Sequence, residues 1–225
     1  MRTRILYVTD QLQIGGAEKQ LIEICKGLDQ EQFEVFLFCA IDGGELLESF
    51  AGHCTEVFVH QRKSFFDLAG MRKLARVIRD YRIEIVHSWL WYANIFCYLT
   101  TRIARAPHWL MSIRGIPLGF TRAHAFVEGR ASKAVERITA VSEFNARHLR
   151  EMHNVPEKKI TVIYNGISVN ETGNGKRTDL AAMVAGARPI LGCIANFGRE
   201  KGHRYLVEAM PGILAMQPQA LLLLV

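Results

Sequence analysis

Short, continuous apolar runs alternating with amphipathic segments constrain this chain more than any other feature. "RILYVTD", "FEVFLFCA", "TEVFVHQ", "RIEIVHSWL", "HWLMSIRG", "RITAVS" and "ITVIYNGI" read as strands, several too continuous for a sheet with one wet face. Between them, helical patterns stand at "AEKQLIEICKGL", "GELLESFAGH", "FDLAGMRKLARVIRDYR", "YANIFCYLTTRIARA", "FVEGRASKAVE" and "EFNARHLREMH". The first of these helices gathers Ala17, Leu21, Ile24, Cys25 and Leu28 on one face. Buried parallel strands joined by helices predict an α/β fold, a doubly wound parallel sheet of the Rossmann-like kind.

The texture changes after "YNGI". Residues 168–188 are polar and glycine-rich and read as a linker between an N-terminal domain, 1–167, and a second unit, 189–225. That unit restarts with "PILGCIANF", "GREKG", "HRYLVEAMPGILAMQ" and "ALLLLV", too few strands to cover its own sheet, so an incomplete second Rossmann-like domain is expected.

Bulk properties exclude several classes. No run of about 18 uncharged apolar residues suggests a membrane span, and the N-terminus does not resemble a signal peptide; a cytoplasmic protein is expected. Five scattered cysteines without a C-x-x-C predict neither a disulfide framework nor a metal site, and serve as small core residues. The formal charge of +6 favours anionic partners, but no nucleic-acid-binding module is recognisable.

Ligands of a doubly wound sheet sit beyond the carboxyl ends of its strands, where Gly15 and Gly16 fall. A glycine pair there suits either a close ligand approach or an ordinary turn. The P-loop, the third glycine of the dinucleotide fingerprint and the G-x-S-x-G elbow are all missing. Asp42, after the second strand, keeps a nicotinamide-dependent oxidoreductase as a minor alternative. His87 and Arg114 end strands on the same side, and Trp89, Trp91 and Tyr92 offer either a stacking face or core packing, the latter being commoner. Leu68, Met71, Leu74 or Ala75, and Ile78 form an apolar stripe flanked by Arg72, Lys73, Arg76 and Arg79. Such a helix packs on its own sheet or touches an anionic membrane face.

Taken together, "ILYVTDQLQIGGAEKQLIEICKGL", "IVHSWLWYANI", "ITAVSEFNARHL", "VPEKKITVIYNGI" and "ANFGREKGHRYLVEAM" resemble the family 4 glycosyltransferases of the GT-B fold. The resemblance implies an acceptor-side N-terminal domain and a donor-side C-terminal domain facing each other across a cleft. It places Gly15 and Gly16 near the donor diphosphate and sugar, and Arg199 and Lys201 as the basic pair that neutralises the leaving diphosphate. Arg114 stands where many members carry a histidine near the reacting carbon, and the family's arginine more often lies near Asn196 than at Arg199. Ser168, after Asn165 and Gly166, replaces a frequent aspartate.

The resulting expectation is a retaining glycosyltransferase of polysaccharide or glycolipid biosynthesis, with Arg114 and His87 as catalytic candidates. It needs no cofactor and no metal, a nucleotide-sugar donor, and a glycan or lipid-linked acceptor; peripheral contact with the inner membrane face stays open, and nucleic acid is not expected. The alternative is a non-catalytic sugar- or nucleotide-binding or assembly module.

Overall fold

The computed structural model describes residues 2–62, 67–115, 121–167, 182 and 184–225. The chain divides into two compact units, Met1–Ile167 and Ser168–Val225. Most of the linker expected at 168–188, including Ser168, lies outside the described residues.

In the first unit, strands β1 (Thr3–Thr9), β2 (Phe33–Cys39), β3 (Glu56–Val59), β4 (Ile85–Trp89), β5 (His108–Ile113), β6 (Arg137–Ala140) and β7 (Ile160–Val162) alternate, among the described residues, with six α-helices. These are α1 (Gly16–Gly27), α2 (Leu47–Ala51), α3 (Leu68–Asp80), α4 (Trp91–Ala104), α5 (Arg122–Ala134) and α6 (Glu143–His153). The strands form one parallel sheet in the order β3-β2-β1-β4-β5-β6-β7. β1 explains why continuous apolar runs were needed: its last five residues are buried, with Leu6 and Val8 toward one face and Ile5 and Tyr7 toward the other.

Each face has its own core. Leu6, Val8, Phe36, Phe38 and Val86 pack with Met71, Leu74, Phe96, Ala131 and Leu149 from α3 to α6. Ile5, Tyr7, Leu37 and Trp89 pack with Leu21, Ile22, Cys25 and Phe50 from α1 and α2. Cys25, Cys39 and Cys97 are buried, Cys54 and Cys193 partly so, and all five are free thiols. The α3 stripe needs one correction: Met71, Leu74, Ala75 and Ile78 are buried, but Leu68 is 63% exposed. Leu68 is the first residue after the N-cap Asp67, ahead of the turn that meets the sheet. Arg72, Arg76 and Arg79 face solvent, while Lys73 turns inward and donates to the Val59 carbonyl at 2.6 Å.

In the second unit, β8 (Ile190–Cys193) and β9 (Leu221–Leu224) pair in parallel around α7 (His203–Met216). Arg199–Lys201 forms a 3-10 turn ending at Gly202, whose φ of 73° lies in the left-handed region that glycine occupies without strain.

Candidate functional site at the switch point of the sheet

The strand order reverses direction between β1 and β4. Loops leaving these neighbours diverge, and the crevice between them is where doubly wound sheets bind ligands. Gly15 and Gly16 close the loop after β1, whereas Leu90 and Trp91 follow β4.

The two glycines serve different purposes. Gly15 is the N-cap of α1 with extended backbone, and a Cβ there would come 2.2 Å from Glu18 Oε2. A Cβ on Gly16 would meet nothing within 4 Å. Gly15 therefore leaves room for the Glu18 carboxylate, which folds back over the positive end of α1. Gly16 leaves its backbone uncovered by the described residues. Glu18 is buried, and burial raises its pKa.

Asp10, just past β1, bridges the crevice. Its Oδ1 accepts the Ala93 N–H at 2.6 Å, capping the amino end of α4 from another strand. Burial pushes its pKa up to about 7, opposed by the Ala93 and Tyr92 N–H bonds and reinforced by Glu18. Leu90, the N-cap of α4, holds φ 76° and ψ 164°, a region nearly reserved for glycine. Strain of this kind persists only where the surroundings enforce it.

A closed circuit of contacts fixes Arg114 beside this crevice. The Trp89 indole donates to the Ala17 carbonyl of α1 at 3.0 Å, and the Arg114 guanidinium lies 4.4 Å above the Trp89 ring. Arg114 Nη2 donates to Asn165 Oδ1. The next residue, Gly166, exchanges two hydrogen bonds with the Gln20 side chain, returning the circuit to α1. Burial lowers the pKa of Arg114, yet arginine remains a cation at ordinary pH.

Arg114 also lines a cavity of about 180 Å³ with Leu90, Trp91, Asn94, Ser112 and Glu128 among its walls. Two buried atoms of the wall residues lack a protein partner, the donor Arg114 Nε and the acceptor Asn94 Oδ1. His87 is set one step back. Its Nε2 meets Ser112 Oγ at 2.9 Å, and Ser112 Oγ meets Thr139 Oγ1 at 2.6 Å. Burial, with Arg114 nearby, pushes His87 down to about 4, so its imidazole is neutral at pH 7. Of the aromatic run, Trp89 and Tyr92 are core residues, and Trp91 reaches the cavity.

The first unit thus gathers Gly15, Gly16 and Arg114 at the carboxyl ends of adjacent strands, while His87, expected to end its strand, lies in the middle of β4, two residues before its last residue Trp89. Arg199 and Lys201 lie exposed in the second unit. Asp42 holds its own turn, accepting the Gly43 N–H at 2.7 Å. Asp10, Glu18, Gln20 and Asn94 were not singled out from sequence. Only Asp10, a lone acid closing an apolar strand, carried a local signal.

No curated protein matches the sequence significantly. Among solved structures, HepE of Anabaena in complex with UDP and glucose superposes with a TM-score of 0.79 at 20% identity, over 99% of this chain and 61% of that one. Sucrose-phosphate synthase from Thermosynechococcus elongatus gives 0.70 at 17% identity, over 99% and 62%. The lipopolysaccharide outer core galactosyltransferase WaaB gives 0.63 at 12% identity, over 98% and 67%. The chain spans about three-fifths of the length of the first two. These neighbours share the GT-B arrangement of the seven-stranded parallel sheet. The model of Glycosyltransferase Family 4 matches residues 14–171, well over half the sequence, and the chain belongs to that family.

Proposed function

We propose that the protein transfers a sugar from a nucleotide diphosphate sugar to a hydroxyl acceptor, with retention at the anomeric carbon, in polysaccharide or glycolipid assembly. Family membership supplies the reaction class. The carrying observation is the Arg114 cavity, whose walls hold an unmet donor and an unmet acceptor. A sugar hydroxyl both donates and accepts, and is the kind of group that answers both. At about 180 Å³ the cavity is smaller than the roughly 300–1,000 Å³ of common ligand pockets, so it suits one sugar ring rather than a whole nucleotide sugar.

In this reading Gly16 lets the donor diphosphate or sugar approach the α1 backbone, with Gly15 beside it. Arg114 offers fixed donors to sugar oxygens near the reacting carbon and cannot act as a base. His87, neutral and bonded through Ser112, orients the cavity wall and is not the proton acceptor. The glycosyl–phosphate bond breaks with its electron pair going to the phosphate oxygen. Arg199 and Lys201 stabilise that charge, and the same oxygen takes the acceptor's proton. The complexes of HepE with UDP and glucose and with UDP-glucose support a nucleotide-sugar donor.

The acceptor is proposed to be a glycan or a lipid-linked sugar. Exposed Arg72, Arg76 and Arg79 on α3 support peripheral contact with an anionic membrane face. Among the described residues no helix is long and apolar enough to cross a membrane.

The test is release of nucleoside diphosphate from a panel of UDP-, GDP-, ADP- and dTDP-sugars by the native protein, followed by NMR of the product's anomeric proton. Retained configuration supports the proposal. Inversion overturns the retaining mechanism, and binding without turnover favours the assembly-module alternative.

A further inference from the structure

We propose that Glu128, His148 and His153 form a zinc-binding site that clamps α5 to α6. Among the described residues they are the one group of three or more potential ligands whose donor atoms all lie within 4.8 Å of one another. His153 Nε2 stands 3.2 Å from Glu128 Oε2, and the rings of His148 and His153 meet edge to face with centroids 5.3 Å apart. Four ligands at zinc bond lengths sit about 3.4 Å apart around a tetrahedron, so the Glu128–His153 pair already has the spacing. The group's atoms all lie within 4.8 Å, so His148, which is partly exposed, would have to move by at most about 1.4 Å to reach that spacing.

The surroundings are built for close convergence. Glu128 and His153 are each 7% exposed. The His153 side chain packs onto α5 at Gly129, where a Cβ would press on His153 Nδ1 at 3.0 Å. A buried histidine–glutamate hydrogen bond would tie the helices without a third ligand; His148 is what that simpler reading leaves unused. Two imidazoles and one carboxylate suit zinc rather than magnesium or calcium, which prefer all-oxygen sites. Water would supply the fourth ligand.

The local charge works against a cation, so the ligand geometry has to carry the site. Arg122, Arg130 and Lys133 line the neighbouring surface cavity that reaches His153, and they oppose a cation. Glu128 is the one anionic ligand of the group and offsets them only in part. Glu128 also borders the Arg114 cavity, so a bound ion would fix the orientation of that wall.

The experiment is a titration of the chelator-treated, untagged protein with zinc by calorimetry, repeated with cobalt(II) and read by visible absorption. One equivalent of zinc should bind, raise the melting temperature, and give the cobalt form the intense bands of a tetrahedral site. His148→Ala, at a half-exposed position that the core does not need, should weaken zinc by more than the roughly 10–100-fold typical of losing an outer partner. Glu128→Gln, close in shape, should do the same. Failure of the unaltered protein to bind zinc overturns the site. So does binding that neither substitution weakens, which would place the ion elsewhere.

Discussion

Arg114 in the first unit is gripped by Trp89 and Asn165, inside a circuit that runs back to α1 through Gly166 and Gln20. Arg199 and Lys201 in the second unit stand exposed on a single 3-10 turn. The first unit therefore holds its cation in place before any ligand arrives. The second presents its charges on an exposed turn, without a comparable set of contacts among the described residues. Substitutions in the first should change both stability and turnover, whereas those in the second should change turnover alone.

The sharpest break in that comparison comes from Lys201→Ala. It should cut turnover of the native protein by roughly 100-fold or more, the scale of removing one oxyanion stabiliser, with the melting temperature unchanged. Unchanged turnover would remove Lys201 from the site.

His87 tests the first unit through pH. Its folded pKa, about 4 against an ordinary 6.5, means that the folded state resists protonation. The stability this confers is complete above pH 6.5 and is lost as pH falls toward 4. Because one edge of His87 is partly exposed, the loss is on the order of 2 kcal/mol. His87→Gln should flatten this acid limb in denaturant unfolding, and an unaltered limb would show that His87 is solvated.

Asp10 should show the opposite slope. Its folded pKa is raised from 3.8 to about 7, so its contribution is full below pH 3.8 and is lost as pH rises through 7. Asp10→Asn keeps an oxygen for the Ala93 N–H and should gain stability relative to the parent at pH 8, by about 1–2 kcal/mol after allowance for the bonds it retains. A loss at pH 8 would mean that the charged carboxylate is needed at the end of α4.

The smallest effect is Gln20→Ala. Removing two hydrogen bonds to an exposed backbone site should cost about 1 kcal/mol in chemical denaturation. A cost near zero would show that the circuit is not closed at Gly166.

The fold was legible because strand runs such as "VFLFC" are buried on both faces, leaving little ambiguity of period. Gly15, Gly16 and Arg114 were legible because they follow strands on the ligand side. The rest depends on distant crossings. Gln20 meets Gly166 across 146 positions, and Asp10 meets Ala93 across 83, so neither leaves a local pattern. His148 and His153 become neighbours of Glu128 only when α5 packs on α6. The apolar stripe misassigned Leu68 because periodicity does not show where a helix first reaches its sheet.

The central claim is that the cavity beside the switch point, with Arg114 in its wall, receives the transferring sugar. The most direct measurement is turnover of the preferred nucleotide sugar by Arg114→Ala and Arg114→Lys against the unaltered native protein, with melting temperatures recorded in parallel. The account predicts a loss of roughly 100-fold for alanine, little rescue by lysine, and a folded protein in each case. Turnover equal to that of the unaltered protein in a folded Arg114→Ala variant would contradict it.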